Sequence, residues 1–242
     1  MTNEYSPTWF ETFLRPIDPA QTEREASFIT RCLPQPAYGT LLDLCCGEGR
    51  HARLLAERGY QVTGVDRDAG AVTAARRQSD SRITYIQGDI RDLAGIPGSF
   101  DAAIIMWQSF GYFDDAANAE ILRQINGRLH PRGRVILDLY HRDFFVQRQG
   151  VRTFDLPVMA VTETTRMEGR RLSVALEYRP GRAGDAFEWL LYTPEEISSL
   201  IEQCGFVPLV VCSGFDEELA PSAHTPRMQI VCEKRTASAP PG

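Results

Sequence analysis

The sequence is short of several things, and each shortage removes a class of function. No apolar run in the 242 residues approaches the ~18 that a bilayer-spanning helix needs, so no membrane span is expected. The opening stretch MTNEYSPTWFETF has no basic region followed by an apolar core, which argues against a secretory leader. Positive charge is in deficit: 26 lysines and arginines face 32 acids, for a net charge of −6. That balance suits neither the wrapping of a phosphate backbone nor a nucleic-acid partner. Cysteine is present but unorganised. Cys32, Cys45, Cys46, Cys204, Cys212 and Cys232 sit apart in apolar contexts, with no CxxC pair and no histidine at ligand spacing. Free thiols in a cytoplasmic protein are expected, and no metal site. No internal repeat is visible.

What is present is an ordinary globular composition, 43% apolar and 24% charged, in a length that suits one large domain or a domain carrying an insertion. From residue 40 the chain alternates strand-like and helix-like segments. TLLDLCC (40–46) is an apolar run ending at glycines, as expected of a strand buried on both faces. RHARLLAERGY follows at helical spacing with Gly59 as its stop. QVTGVD (61–66), ITYIQGD (83–89), FDAAIIMW (100–107) and RVILDLY (134–140) read as further strands. Asp68 is placed to cap the helix DAGAVTAARRQ, and DDAANAEILRQINGRLH (114–130) is an amphipathic helix that Pro131 and Gly133 should stop.

The pattern changes after about residue 152. Three β-rich pieces, LPVMAVTETTRM, RRLSVALEYRP and DAFEWLLY, follow one another with turn residues at the reversals. Thr193-Pro194-Glu195-Glu196 then opens a helix with Thr193 as N-cap. FVPLVVCSG and MQIVCEKR end the chain as two strands. The expected fold is α/β: a doubly wound, Rossmann-like, seven-stranded sheet, last strand antiparallel, with a small antiparallel β insertion. The expected divisions are a helical N-terminal lid segment (1–39), a core (40–151 and 192–235), an insertion forming a cap (152–191) and a disordered tail (236–242).

In such a sheet, ligands bind beyond the carboxyl ends of the strands. Four of those ends carry the right chemistry. Gly47-Glu48-Gly49 lets backbone approach a ligand at a helix N-terminus. Asp66 ends the second strand, where a carboxylate can accept from a ribose diol, and Asp89 ends the third, where it could accept from an adenine amino group. MWQSFGYF (106–113) is an aromatic turn beyond the fourth. A glycine turn with a downstream acid also fits a dinucleotide fingerprint, which alone is weak evidence. Asp43 inside the first strand and the second acid site at Gly88-Asp89 point away from it, although Asp43 read as a turn-bonding residue stays open.

The ordered set LLDLCCGEGRHARLLAERGYQVTGVD, IQGDIRDL, FDAAIIMWQSFGYF and LHPRGRVILDL resembles the successive motifs of class I S-adenosylmethionine-dependent methyltransferases. The first is most similar to the bacterial small-molecule branch, D-x-x-C-G-x-G-R-H, and the likeness extends from TEREASFI to LYTPEEISSLIEQCGF. The resemblance implies S-adenosylmethionine as cofactor, with Asp43, Cys45 and Gly47 along its methionine portion and Gly49 closing the turn. It implies Asp66 on the ribose hydroxyls, Arg67 against the adenine, and Asp89 and Ile90 at the adenine edge and face. Trp107 and Gln108 would lie near the sulfonium, while Arg50 and His51 would face the cofactor carboxylate or the N-terminal segment.

Methyl transfer needs alignment above all, and a base only for some acceptors. His141, just past the fifth strand, is the candidate base, and Tyr112 a second rim residue that could orient a substrate. Tyr5, Trp9, Phe10 and Phe13 could close over the cofactor or serve as ordinary core. The expected activity is methylation of O, N or C of a small molecule, such as a specialised metabolite. A cofactor-binding protein that transfers no methyl group is the alternative. The sequence names no acceptor and leaves the oligomeric state open, a homodimer included.

Overall fold

The computed structural model describes residues 3–78, 80–156 and 159–236. Pro157 and Val158, within the first expected insertion strand, and most of the expected tail (237–242) lie outside them. Five parallel strands build the centre: β1 (Thr40–Leu44), β2 (Gln61–Asp66), β3 (Ile83–Gln87), β4 (Phe100–Ile105) and β5 (Leu129–Tyr140). With β10 (Phe206–Cys212) and β11 (Arg227–Lys234) they form a seven-stranded sheet ordered β10-β11-β5-β4-β1-β2-β3. Only β11 runs against its neighbours. The strand order reverses between β1 and β4, which opens a crevice at the carboxyl ends of those two strands.

Period-two alternation sends Leu42 and Leu44 to the face covered by α5 (Asp115–Arg128) and α7 (Pro194–Gln203). Leu41 goes to the other face, under α2 (Pro19–Cys32), α3 (Arg50–Glu57) and α4 (Ala69–Arg77). Asp43 shares the Leu41 face, so an acid lies buried in what is otherwise core. The caps match the sequence: Asp68 accepts from Ala71 N at 2.7 Å. Thr193 and Glu196 form a reciprocal capping box at 3.3 and 2.9 Å.

Several expected boundaries shift. The helix before β5 ends at Arg128, and β5 begins at Leu129, passing through Pro131 and Gly133 with a register shift against β4. Proline is tolerated there because the pairing is already interrupted. A short helix, α6 (Arg142–Val146), follows β5 directly. The insertion has four strands where three were expected: β6 (Gly150–Leu156), β7 (Met159–Glu168), β8 (Arg171–Arg179) and β9 (Arg182–Leu190), an antiparallel meander. β6 is an edge strand and mostly exposed, so its sequence lacks the alternation that marks a half-buried strand.

The N-terminal segment, α1 (Pro7–Trp9) with a π-helical turn (Phe10–Leu14), is tied to that insertion. Asn3 exchanges two hydrogen bonds with the Glu188 backbone (2.7 and 2.9 Å). The Asp185 carboxylate accepts from Ser6 N and Oγ (3.1 and 2.7 Å). Tyr5 stacks on Phe187 with ring centres 4.6 Å apart. The insertion is in turn fastened to the core where Leu190 N donates to Gly111 O (2.6 Å) and Trp189 Nε1 to Gln108 O (2.9 Å).

Candidate cofactor and substrate site

A cavity of about 1030 Å³ opens at the carboxyl ends of β1, β2, β3 and β4. Its floor begins where β1 stops. Cys45 turns the chain with a positive φ of 59°, and Gly47 follows at 55° with no atom within 4 Å of where a Cβ would stand. The backbone is therefore bare to the cavity at Gly47. Gly49 has a different reason to be glycine: a Cβ there would lie 2.1 Å from Tyr85 Oη, so the residue closes the turn by packing and does not line the cavity.

The acids around this turn are in unlike states. Asp43 is buried, its Oδ2 has no hydrogen-bond partner among the described residues, and burial with the nearby Asp66 charge pushes its pKa up to about 7. Asp66 accepts from Gly47 N (2.8 Å) and Asp68 N (2.9 Å), which fixes its carboxylate at the cavity wall. Burial raises its pKa while those two backbone bonds offset part of the rise. Asp89 also lines the cavity, but both its oxygens are held by Arg91 (3.0 and 2.6 Å). That hydrogen-bonded pairing holds it below the ordinary carboxylate range.

Trp107, at the end of β4, has a left-handed φ of 56°, uncommon for so bulky a residue. Its backbone N donates to Asp138 Oδ2 (2.9 Å) and its indole Nε1 to Glu25 Oε1 (2.9 Å). The Arg50 and Arg227 guanidiniums lie 5.2 and 5.4 Å from its ring centre. Glu25 Oε2 also accepts from Arg50 (2.6 Å) and meets His51 Nε2 at 2.8 Å. Burial opposes ionisation of Glu25, but the His51 bond and the Arg50 and Arg227 charges hold it well below the ordinary carboxylate range. Burial lowers the His51 pKa, and the hydrogen bond and charge of the Glu25 carboxylate oppose that shift.

The residues expected at the site mostly converge. Asp43, Cys45, Gly47, Arg50, His51, Asp66, Arg67, Asp89, Ile90, Trp107 and Tyr112 all line the cavity. Three do not. Gly49 backs the turn, as above. Gln108 is buried behind Trp107, where its amide faces the Trp107 carbonyl and Arg227. His141 corrects the expectation of a rim base: it is 3% exposed, precedes α6, donates its backbone N–H to Pro226 O (3.0 Å) and bridges to Tyr192, and it does not line the cavity. Burial lowers its pKa, and alternation along β5 directs it away from the cavity. Arg50 and His51 line the cavity and at the same time contact α2, Arg50 through Thr22 and Glu25 and His51 through Glu25.

Glu25, Asp138 and Arg227 were not singled out from the sequence. The signal was there: Glu25 occupies the apolar stripe 25, 28/29, 32 of α2, and Asp138 interrupts the apolar strand ILDLY. An acid within an apolar strand is the same mark that drew attention to Asp43.

Residues 41–133 match the family model described as a methyltransferase domain. Over 184 residues the chain is 32% identical to the 2-phytyl-1,4-naphtoquinone methyltransferase of Thermosynechococcus vestitus, covering 72% of this chain and 74% of that one. This chain belongs to the S-adenosylmethionine-dependent methyltransferases. The methyltransferase fold is shared with a Clostridium acetobutylicum S-adenosylmethionine-dependent methyltransferase (17% identity, 94% and 96% of the two chains, TM-score 0.81). It is shared also with the amino pentose methyltransferase CalS10 of Micromonospora echinaspora, solved with S-adenosylmethionine bound (18% identity, 97% and 100%, TM-score 0.73). S-adenosylmethionine is the cofactor, and the residues present fit it. The methyltransferase keeps a buried carboxylate oxygen without a partner at Asp43, which suits the ammonium of the methionine portion. The bare Gly47 backbone and the fixed Asp66 carboxylate suit close approach and a ribose diol.

Proposed function

We propose that this methyltransferase methylates a small molecule, that nitrogen is the atom its site serves best, and that it acts in the cytoplasm within specialised metabolism, as a member of the small-molecule branch. The observation carrying this reading is the aromatic continuation of the cavity beyond the acid-lined floor. There Tyr5, Trp9 and Phe10 of the N-terminal segment face Tyr112 and Phe113 of the core. A pocket largely walled by aromatic rings suits an organic molecule of modest size.

The bound cofactor supplies an electrophilic methyl group on a sulfonium. Asp43, Cys45 and Gly47 hold its methionine portion, Asp66 its ribose, and Arg67, Asp89 and Ile90 its adenine. The N-terminal segment and the insertion act as lid and cap, excluding water and bringing the acceptor into line. The Tyr5 and Tyr112 hydroxyls are hydrogen-bonded to each other at 2.6 Å, and burial raises both pKa values. Neither is a base near neutral pH, and His141 stands outside the cavity. A neutral amine needs no base to attack, whereas a phenol or alcohol usually does. The amino pentose acceptor of CalS10 is chemistry of this kind.

The test is turnover of isotopically methyl-labelled cofactor with matched amines, phenols and alcohols, read by mass spectrometry. Label transfer to amines supports the reading. Transfer to hydroxyls alone would remove the nitrogen preference. Tight binding of S-adenosylhomocysteine without transfer to any acceptor would favour a non-methylating binding protein.

A further inference from the structure

Glu25 is fully buried on α2, outside the central sheet, yet three of the side chains it holds line the cavity: Arg50, His51 and Trp107. A buried carboxylate is costly unless it is paired and hydrogen-bonded. Glu25 meets that cost with partners from four places: Gln21 on its own helix (3.1 Å), the start of α3, the end of β4, and Arg227 on β11 (3.4 Å). Its partner Trp107 is in turn fixed at both ends, by Asp138 at the backbone and Glu25 at the indole. The left-handed backbone at Trp107 costs free energy and persists only where surrounding contacts over-determine it.

We propose that Glu25 is a positioning residue for the cofactor half of the cavity: it sets Trp107, Arg50 and His51 in the arrangement that binds the methionine portion. The proposal rests on reading this cavity as the S-adenosylmethionine site. Glu25 does not itself line the cavity and acts through the three residues it holds. Its placement on α2, immediately after the N-terminal segment, links the lid side of the molecule to the cofactor wall. A carboxylate is needed because five donor groups of three kinds, guanidinium, ring N–H and side-chain amide, converge on two oxygens. A glutamine at the same place offers one acceptor oxygen and adds two N–H donors facing Arg50 and His51.

The test uses Glu25→Gln and Glu25→Asp in the full chain. The aspartate keeps the charge but withdraws it by one methylene. Calorimetric affinity for S-adenosylhomocysteine is measured beside thermal melting and the Trp107 contribution to near-ultraviolet circular dichroism. The last is taken as the difference between wild type and Trp107→Phe. Both Glu25 variants should melt cooperatively, lose the Trp107 signal and bind about tenfold or more weakly. Arg31→Ala, on the same helix as Glu25, breaks an exposed pair with Glu217 of the β10–β11 connection and should move the melting temperature while leaving affinity unchanged. Wild-type affinity in a folded Glu25→Asp, or unfolding of both variants, would overturn the proposal and leave Glu25 a stabilising residue only. No binding by the wild-type protein would overturn the cofactor-site reading and this proposal together, so the two failures are distinguishable.

Discussion

Asp43→Asn should move stability and binding in opposite directions. Asp43 is buried with an unpartnered oxygen, and its pKa is pushed up from 3.8 to about 7. A carboxyl raised in the fold keeps its proton there more tightly than in the unfolded chain. Its contribution is therefore neutral well below pH 4 and increasingly unfavourable as pH rises toward 7. Above pH 7 the cost levels off at about 4 kcal/mol, taking about 1.4 kcal/mol per pH unit between the two values. Asparagine has no charge to bury, so the ligand-free variant should be more stable than wild type at pH 8, with the difference vanishing near pH 4. Urea denaturation across that range measures it. The same substitution removes the carboxylate that we propose meets the methionine ammonium, a charged hydrogen bond of about 2 kcal/mol, or roughly thirtyfold in affinity. Calorimetric titration with S-adenosylhomocysteine reads that loss. In wild type below pH 7, binding should also release a proton, visible as a dependence of the heat on buffer ionisation enthalpy. A variant no more stable than wild type at pH 8, or one that binds the ligand as tightly, would refute the reasoning.

Asp66→Ala removes the proposed ribose acceptor and the partner of Gly47 N, and should weaken S-adenosylhomocysteine binding by about 1–3 kcal/mol with little change of fold. Unchanged affinity would place the ribose elsewhere. Gly49→Ala must adopt φ +78° and displace Tyr85, so it should cost about 2 kcal/mol or more, a fall of about 4–8 °C in melting temperature. An unaltered melting curve would show the turn to be looser than described. His141→Ala should leave single-turnover methyl transfer at the wild-type rate, because the ring lies outside the cavity, and a large loss would restore it as a base. Tyr112→Phe severs the hydroxyl pair with Tyr5 and should cost about 1 kcal/mol in urea denaturation, whereas no change would mean the pair adds nothing.

Local signals in the chain were enough for the alternating core, its capped helices and the floor of the cavity. Apolar runs of period two, Asp68 and Thr193 as caps, and acids inside β1 and at the ends of β2 and β3 are each written in a few adjacent residues, and parallel-sheet geometry brings those carboxyl ends together. β6 escaped notice because an exposed edge strand needs no alternation, and the start of β5 because a proline there reads as a stop. His141 looked like a rim residue because it follows a strand end, but which face a residue takes there depends on strand phase and on the packing of α6. The Glu25 cluster joins positions 25, 50, 51, 107, 138 and 227. No window of sequence contains those six positions. The backbone pattern of this protein follows from local propensity and burial period, which neighbouring residues encode. The charge balance of its cofactor wall follows from which distant side chains share one buried volume, and only the folded chain brings them there.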